Sequence, residues 1–197
     1  QRGSVKSMSY IKCINEENGI RYYTIEDVAN CIRYIFDICK TMYDEKRPGH
    51  MLGDFVGCSR FFGTKDQEKD CELVIAQMLA NNSAHGKWKG NLLKHRVICF
   101  RRLDNILPSE AYQLAKYIAN AYGENYITAY GVHLDTNNIH IHLAIDTICW
   151  RDGSRFDQPF EKKWLYSMTN NWIDSRDKEL TNNWEENDLW LRYYGDL

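Results

Sequence analysis

Alternation of apolar and polar residues predicts strands in three parts of the chain. Residues 9–14 alternate well enough for a strand, and residues 93–100 are predicted to form a strand with polar ends. The clearest pattern lies in residues 139–146, where four aliphatic residues alternate with two histidines, an alanine and an aspartate. Because residues 135–138 are typical of turns, residues 126–148 are predicted to form an antiparallel hairpin.

Apolar residues at helical spacing predict four helices between and after these strands. The first begins at Thr24 as N-cap, and its buried stripe is Ile25, Val28, Ile32, Ile35 and Cys39. The second covers residues 66–82, with Leu73, Ala76, Leu79 and Ala80 as its apolar side and Ile75 flanking it. A third begins at Pro108, and a last long helix covers about 160–180. Residues 43–63 contain many glycines and few periodic apolar residues, so they are predicted as a long loop or short irregular elements.

This order of elements predicts an α+β fold with a mainly antiparallel central sheet and helices packed on it. The 197 residues suffice for one domain. Residues 1–8 are expected to be a cloning remnant or a disordered N-terminus, and residues 9–181 the domain. Residues 182–197 are expected to be an aromatic tail that packs on the domain or leads to a downstream region. No apolar run is long enough for membrane insertion, and seven cysteines without paired spacing indicate reduced thiols in a cytosol.

The formal net charge of −2 argues against a nucleic-acid partner, but the positive charge is unevenly distributed. Residues 85–102 contain no acid, and their cations are Lys87, Lys89, Lys94, Arg96, Arg101 and Arg102. Trp88 lies among them. Phosphates can bind such cations while a base stacks on the indole, which suits single-stranded nucleic acid. A solvated loop with lysines is the alternative.

Three of the six histidines lie within ten residues of the predicted hairpin. Strand alternation puts His140 and His142 on the face opposite the aliphatic residues, and the turn folds His133 back towards them. Three convergent imidazoles suit a divalent metal ion. Asp135 would accept a hydrogen bond from one of the rings and fix its tautomer, or it caps the turn. The alternative for the histidines is a polar, water-facing strand face on which they only form hydrogen bonds.

The segment His133-Leu134-Asp135 followed by His140-Ile141-His142 resembles the third motif of conjugative relaxases. These HUH endonucleases nick plasmid DNA at an origin of transfer, and the resemblance is greatest to the MobA/VirD2 branch. It implies that the three histidines hold a divalent cation on the scissile phosphate. Mg²⁺ or Mn²⁺ is expected, with Zn²⁺ as an alternative. It also implies that a tyrosine near the N-terminus attacks that phosphate and forms a 5′-phosphotyrosine.

Residues 31–37, with Lys40 and Thr41 after them, resemble the first relaxase motif, and Tyr34 stands at the position of the nucleophile. Tyr34 is about 100° round the helix from Ile35, so it flanks the buried stripe. Tyr22 and Tyr23 are rival nucleophiles. In the second motif the family usually has a Ser-Phe pair. Cys99-Phe100 stands there in this chain, Cys99 is given no catalytic role, and nearby His95 is expected to be structural.

The sequence therefore predicts a metal-dependent, strand-specific DNA relaxase of the bacterial cytoplasm. Its partners would be single-stranded or supercoiled DNA at an origin of transfer, with accessory relaxosome and coupling proteins. A rolling-circle replication initiator or a transposase would share the histidines and the tyrosine. A three-histidine zinc hydrolase of small substrates would need only the metal, and a non-catalytic DNA-binding module would bind DNA without forming an adduct.

Overall fold

The structure is a computed structural model that describes residues 10–41, 52–64, 66–101 and 104–182. The predictions for residues 1–8 and for the tail beyond residue 182 lie outside this range. The strands are β1 Tyr10–Cys13, β2 Gly53–Val56, β3 Leu93–Cys99, β4 Thr128–His133 and β5 His140–Asp146. The helices are α1 Ile14–Glu17, α2 Ile25–Ile35, α3 Ile38–Thr41, α4 Gln67–Ala84, α5 Pro108–Gly123 and α6 Glu161–Asn182, with a 3₁₀ turn at Cys58–Arg60.

The five described strands form one sheet in the order β1-β3-β5-β4-β2, and every neighbouring pair is antiparallel. This confirms the predicted α+β fold and its mainly antiparallel sheet. The edge strand β2 was not predicted, because its four residues include Gly53 and Asp54 and have no apolar alternation. It forms because β4 pairs with it, from Gly53 opposite Gly131 to Val56 opposite Thr128.

Helices cover both faces of this sheet. On one face α5 packs on β2, β4 and β5, and Leu143 and Ile145 are buried in that cluster. On the other face α2 and α4 pack over β4 and β2, and Ala129 and Ala144 are buried there. His142 alternates with Leu143 along β5, so it lies on the face covered by α2 and α4. The histidine face is therefore not the water-facing surface that was the alternative reading of the pattern.

The helix α2 begins with Thr24 as N-cap, as predicted, where a capping box forms, and its C-terminus reaches the histidine face. Thr24 Oγ1 accepts a hydrogen bond from the Asp27 backbone nitrogen, and the Asp27 carboxylate accepts one from the Thr24 nitrogen. Val28, Ile32 and Ile35 are buried as expected, but Ile25 and Cys39 are exposed. The prediction for Cys39 was wrong because α2 ends at Ile35, so Cys39 belongs to the short α3.

The buried side of α4 differs from the predicted one. Cys71, Val74, Ile75 and Met78 face the core, whereas Ala76 and Ala80 are exposed. The prediction was wrong because the buried side of this helix also carries polar residues. Asp70, Asn81 and Asn82 are buried among the apolar ones, and Asn81 Nδ2 donates to Asp146 at 2.8 Å. A helix with polar groups on its buried side has no clear apolar stripe in its sequence.

Gly131 lets α2 approach the sheet beside the histidines. A Cβ built at Gly131 would lie 2.4 Å from the Ile35 carbonyl oxygen, well inside van der Waals contact. Gly131 is also the cross-strand neighbour of His142. The missing side chain therefore makes room for the last turn of α2, which carries Tyr34, directly over the histidine-bearing strands.

A buried ion pair joins α6 to the centre of the sheet. The Arg96 guanidinium makes two hydrogen bonds to the Glu161 carboxylate, at 3.0 and 2.7 Å, and Tyr122 donates a third at 2.7 Å.

Because both charges are buried, Glu161→Gln should lower the free energy of unfolding by about 3–5 kcal/mol, measured by chemical denaturation. Glu124→Gln, which breaks an exposed pair with Arg60, is the control and should have little effect. An equal effect of the two variants would contradict the burial.

Candidate active site

The hairpin of β4 and β5 brings the three predicted histidines together. His133 and His140 are directly opposite each other across the strand pair, and His142 lies one alternation further along β5. The ring centroids of His133 and His142 are 4.2 Å apart, and those of His140 and His142 are 6.2 Å apart. His133 and His142 are buried, while His140 is half-buried. The cluster therefore opens to solvent on the His140 side.

The aromatic ring of Tyr34 lies against this cluster. Its centroid is 5.0 Å from that of His133 and 5.4 Å from that of His142, both in edge-to-face geometry. Tyr34 is 44% exposed, so a large ligand can reach it. It flanks the buried stripe of α2, as the helical geometry predicted. The structure therefore places one accessible phenol beside the histidines.

In each of the three histidines, one ring nitrogen is held by a protein partner. His133 Nε2 donates to the Ile35 carbonyl at 3.2 Å. The Thr136 hydroxyl donates to the Asn138 carbonyl, so it accepts from His140 Nδ1 at 3.3 Å. His142 Nδ1 lies 3.0 Å from His95 Nε2. The second nitrogen of each ring has no hydrogen-bond partner among the described residues and can act as a ligand.

Burial keeps these imidazoles neutral. It is the main cause that lowers the pKa of His133, His140 and His142. For His142 the neighbouring imidazoles His133, His95 and His140 lower the pKa further. Burial also lowers the pKa of His95, to about 4. Neutral imidazole is the form that binds metal ions, so no proton has to be removed near neutral pH.

The donor set fits a divalent metal ion, although the described residues do not assemble a coordination sphere. No three His, Cys, Asp or Glu side chains in the described part of the chain have donor atoms grouped closely enough to hold a metal ion. Three neutral rings, of which His133 and His140 lie with their centroids 4.2 and 6.2 Å from that of His142, each with one nitrogen unengaged, are nevertheless the ligands that such an ion takes.

Asp135 is bound to a lysine in this structure. Its carboxylate accepts a hydrogen bond from Lys40 Nζ at 2.5 Å, and no described histidine ring donates to it. The expected bond from a histidine ring is therefore replaced by this ion pair. Lys40 Nζ also lies 5.3 Å from the centre of the Tyr34 ring. Burial raises the pKa of Tyr34 and the Lys40 charge opposes that rise, so Lys40 favours a phenolate at this position.

The two rival tyrosines lie elsewhere. Tyr22 is buried, and its hydroxyl lies 2.9 Å from His95 Nδ1, so it contacts the cluster only through His95. Tyr23 is exposed before α2. His95 was expected to be structural, and the structure places it directly behind His142. Finding it from sequence would require the register of β3 on β5, in which His95 pairs with Ala144 on the histidine face.

Most of the residues that were predicted to contact DNA lie away from the histidine cluster. Lys87, Trp88 and Lys89 precede β3, whereas His140 pairs with its last residue, Cys99. The two ends of β3 are six residue steps apart, or about 20 Å. Lys94 lies over the Phe156 ring on the opposite face of the sheet from the histidines.

The remaining cations differ in exposure. Arg96 is 1% exposed and paired with Glu161, so its guanidinium does not reach the surface and the expectation of a phosphate contact is corrected. Arg101 is exposed at the His140 end of β3, where it pairs with Asp104. Arg102 lies outside the described residues.

One cation on the histidine face was missed by the sequence reasoning. Lys12 on β1 pairs with Val97 on β3, which pairs with His142 on β5, so all three side chains lie on the same face. Lys12 Nζ lies 5.6 Å from the centre of the Tyr10 ring, which is 49% exposed. The alternation of β1 puts both residues on one face, but only the strand order brings that face to the histidines.

Among the helices in the described ranges, none combines the length and apolar character needed to cross a bilayer.

Comparison with known proteins identifies the family. A family model described as relaxase, MobA/VirD2-like, nuclease domain matches residues 58–172, more than half of the chain. No curated protein and no solved structure matches. The matched residues include the three histidines and His95, while Tyr34 precedes them. Relaxase nuclease domains are DNA-nicking enzymes, and the resemblance of the histidine motif to the MobA/VirD2 branch is thereby confirmed. The chain belongs to the MobA/VirD2-like relaxases and contains their nuclease domain.

Proposed function

We propose that this protein nicks one strand of DNA at an origin of transfer of a plasmid or integrative element, with Tyr34 as the nucleophile. The observation that supports this most directly is the contact of the Tyr34 ring with His133 and His142. The phenol is accessible, and the rings beside it are neutral ligands. Neither Tyr22 nor Tyr23 has such a position.

The proposed reaction exchanges one phosphodiester for another. Tyr34 Oη forms a bond to phosphorus and loses its proton, the bond from phosphorus to the 3′-oxygen breaks, and that oxygen takes up a proton. The products are a 5′-phosphotyrosine and a free 3′-hydroxyl. Because a phosphodiester is conserved, the reverse reaction can reseal the strand. Lys40 stabilises the developing phenolate, and Asp135 keeps Lys40 over the ring.

His133, His140 and His142 would hold the divalent ion, which would polarise the scissile phosphate as a Lewis acid. Mg²⁺ or Mn²⁺ is proposed. His133 would bind through Nδ1, and His140 and His142 through Nε2, because their other nitrogens are engaged by protein partners. These partners fix the tautomers and orient the rings.

DNA is proposed to lie across the His140 side of the sheet. Lys12 and Arg101 would contact phosphates, and a base would stack on Tyr10. Lys87, Trp88 and Lys89 are proposed contacts only for DNA that extends about 20 Å along β3. The cellular setting proposed is the bacterial cytoplasm, with accessory relaxosome and coupling proteins as partners.

The activity can be tested without knowing the recognised sequence. The protein is incubated with randomised single-stranded oligonucleotides and Mn²⁺, and complexes that survive sodium dodecyl sulfate are captured and sequenced. We expect covalent complexes that share a sequence at the cleaved site and that disappear with EDTA. Complexes without any shared sequence, or none at all, would contradict a site-specific relaxase.

The lowered pKa values of the three histidines predict an unusual pH dependence of metal binding. Protons compete with the metal only below the pKa of each ring, and burial moves that range below the ordinary value. Titration calorimetry with Mn²⁺ should therefore show a clearly smaller loss of affinity between about pH 8 and pH 6.5 than exposed histidines would show. Three exposed histidines would lose about eightfold, since each is half protonated at its reference pKa. A loss of that size would contradict neutral, buried ligands.

A further inference from the structure

Three buried side chains, His142, His95 and Tyr22, form a hydrogen-bonded chain behind the histidine cluster. His142 Nδ1 lies 3.0 Å from His95 Nε2, and His95 Nδ1 lies 2.9 Å from the Tyr22 hydroxyl. Burial raises the pKa of the Tyr22 hydroxyl, and the neighbouring buried Cys31 thiol raises this pKa further. His142, His95 and Tyr22 are 8%, 6% and 8% exposed, so bulk water cannot readily replace any link.

The protons along this chain can be ordered in two ways. In the first, His142 Nδ1 donates to His95 Nε2, and His95 Nδ1 donates to the Tyr22 oxygen. This order leaves the lone pair of His142 Nε2 unengaged. In the second, every bond is reversed, His142 carries its proton on Nε2, and that nitrogen cannot bind a metal ion.

We propose that Tyr22 and His95 are positioning residues that hold His142 in the tautomer with a free Nε2 and thereby prepare the metal site. This inference rests on the proposed role of His142 as a ligand. Tyr22, which the sequence offered as a rival nucleophile, would then orient a metal ligand instead. The first order of protons leaves His142 Nε2 free for the metal ion, and it requires an acceptor for the proton on His95 Nδ1. The Tyr22 oxygen is that acceptor.

Tyr22→Phe separates the two proton orders. Without the phenol oxygen, the metal-binding order leaves His95 Nδ1–H buried with no acceptor, whereas the reverse order leaves only an unused lone pair. The variant should therefore bind Mn²⁺ about 10–100-fold more weakly than the wild type in titration calorimetry. Tyr126→Phe is the matched control. Tyr126 packs in the apolar cluster on the opposite face of the sheet, and its loss of a hydroxyl should leave the affinity unchanged.

Two substitutions of His95, which lies between Tyr22 and His142, test the same hydrogen-bonded chain. In His95→Gln, the side-chain oxygen can accept directly from His142 Nδ1, so the affinity should fall only a few-fold and Tyr22→Phe should add little to it. In His95→Leu there is no acceptor, and the affinity should fall at least tenfold. A role in folding alone would not produce this difference or the loss of coupling to Tyr22.

The outcomes distinguish this inference from the proposed function. Strong binding by the wild type, a selective loss in Tyr22→Phe, and a His95→Gln variant that binds nearly as well and no longer responds to Tyr22→Phe would support it. Binding by the wild type that Tyr22→Phe and His95→Leu leave unchanged would overturn the positioning chain and leave the proposed relaxase intact. A wild type that binds no Mn²⁺ would overturn both.

Discussion

Tyr34→Phe should abolish the covalent protein–DNA complex. Loss of the hydroxyl removes the only atom that the proposed mechanism uses to attack phosphorus, so nicking should fall at least about a thousandfold. The ring itself is kept, and with it the edge contacts to His133 and His142. The fold and the Mn²⁺ affinity should therefore stay as they are, since Tyr34 is half exposed and supplies no metal ligand in the proposal.

The assay for Tyr34→Phe is SDS-resistant capture of an oligonucleotide selected with the wild type. Tyr23→Phe is the control, because Tyr23 is exposed just before the same helix and was a rival nucleophile. It should nick at the wild-type rate. Adduct formation that persists in Tyr34→Phe and is lost in Tyr23→Phe would move the nucleophile to the neighbouring position.

His142→Ala should remove both metal binding and nicking. His142 is the ring nearest to both His133 and the positioning residue His95. Its loss leaves only two ligands, His133 and His140, on opposite strands. Because a bound metal ion contributes several kcal/mol of charge stabilisation in phosphoryl transfer, nicking should fall at least about a hundredfold.

The matched control for this variant is His85→Gln, since His85 follows α4 and is not part of the cluster. Mn²⁺ affinity, measured by calorimetry, and initial nicking rates should be unchanged in it. Should His142→Ala keep wild-type Mn²⁺ affinity, the ion would have to be held elsewhere, and the three-histidine site would be abandoned.

Much of this arrangement is predictable from local sequence patterns. Period-two alternation gave the strand of His140 and His142 and the face they share, and the capping box at Thr24 located the helix of Tyr34. These features depend on neighbours in sequence. The contact between α2 and the strands that carry the histidines depends on Gly131, which leaves room for the Ile35 carbonyl. The sequence does not show this contact, because it depends on how α2 packs on the sheet.

The parts that were not predictable depend on register between distant strands. His95 lies behind His142 only because β3 pairs with β5 in one register, and Lys12 joins the same face only because β1 is the next strand. Arg96 shows the reverse case. Its position in a basic stretch predicts a surface cation, but Arg96 is buried and pairs with Glu161, 65 residues later in the sequence.

Attachment of the DNA to Tyr34 can be tested by locating the adduct in the sequence. Trypsin cleavage after Arg33 and Lys40 yields a peptide of residues 34–40 in which Tyr34 is the single tyrosine, whereas Tyr22 and Tyr23 fall in the peptide of residues 22–33. After nicking and nuclease trimming, mass spectrometry should find the nucleotide attached through its 5′-phosphate to peptide 34–40. A nucleotide on peptide 22–33, or on any other peptide, would contradict the account.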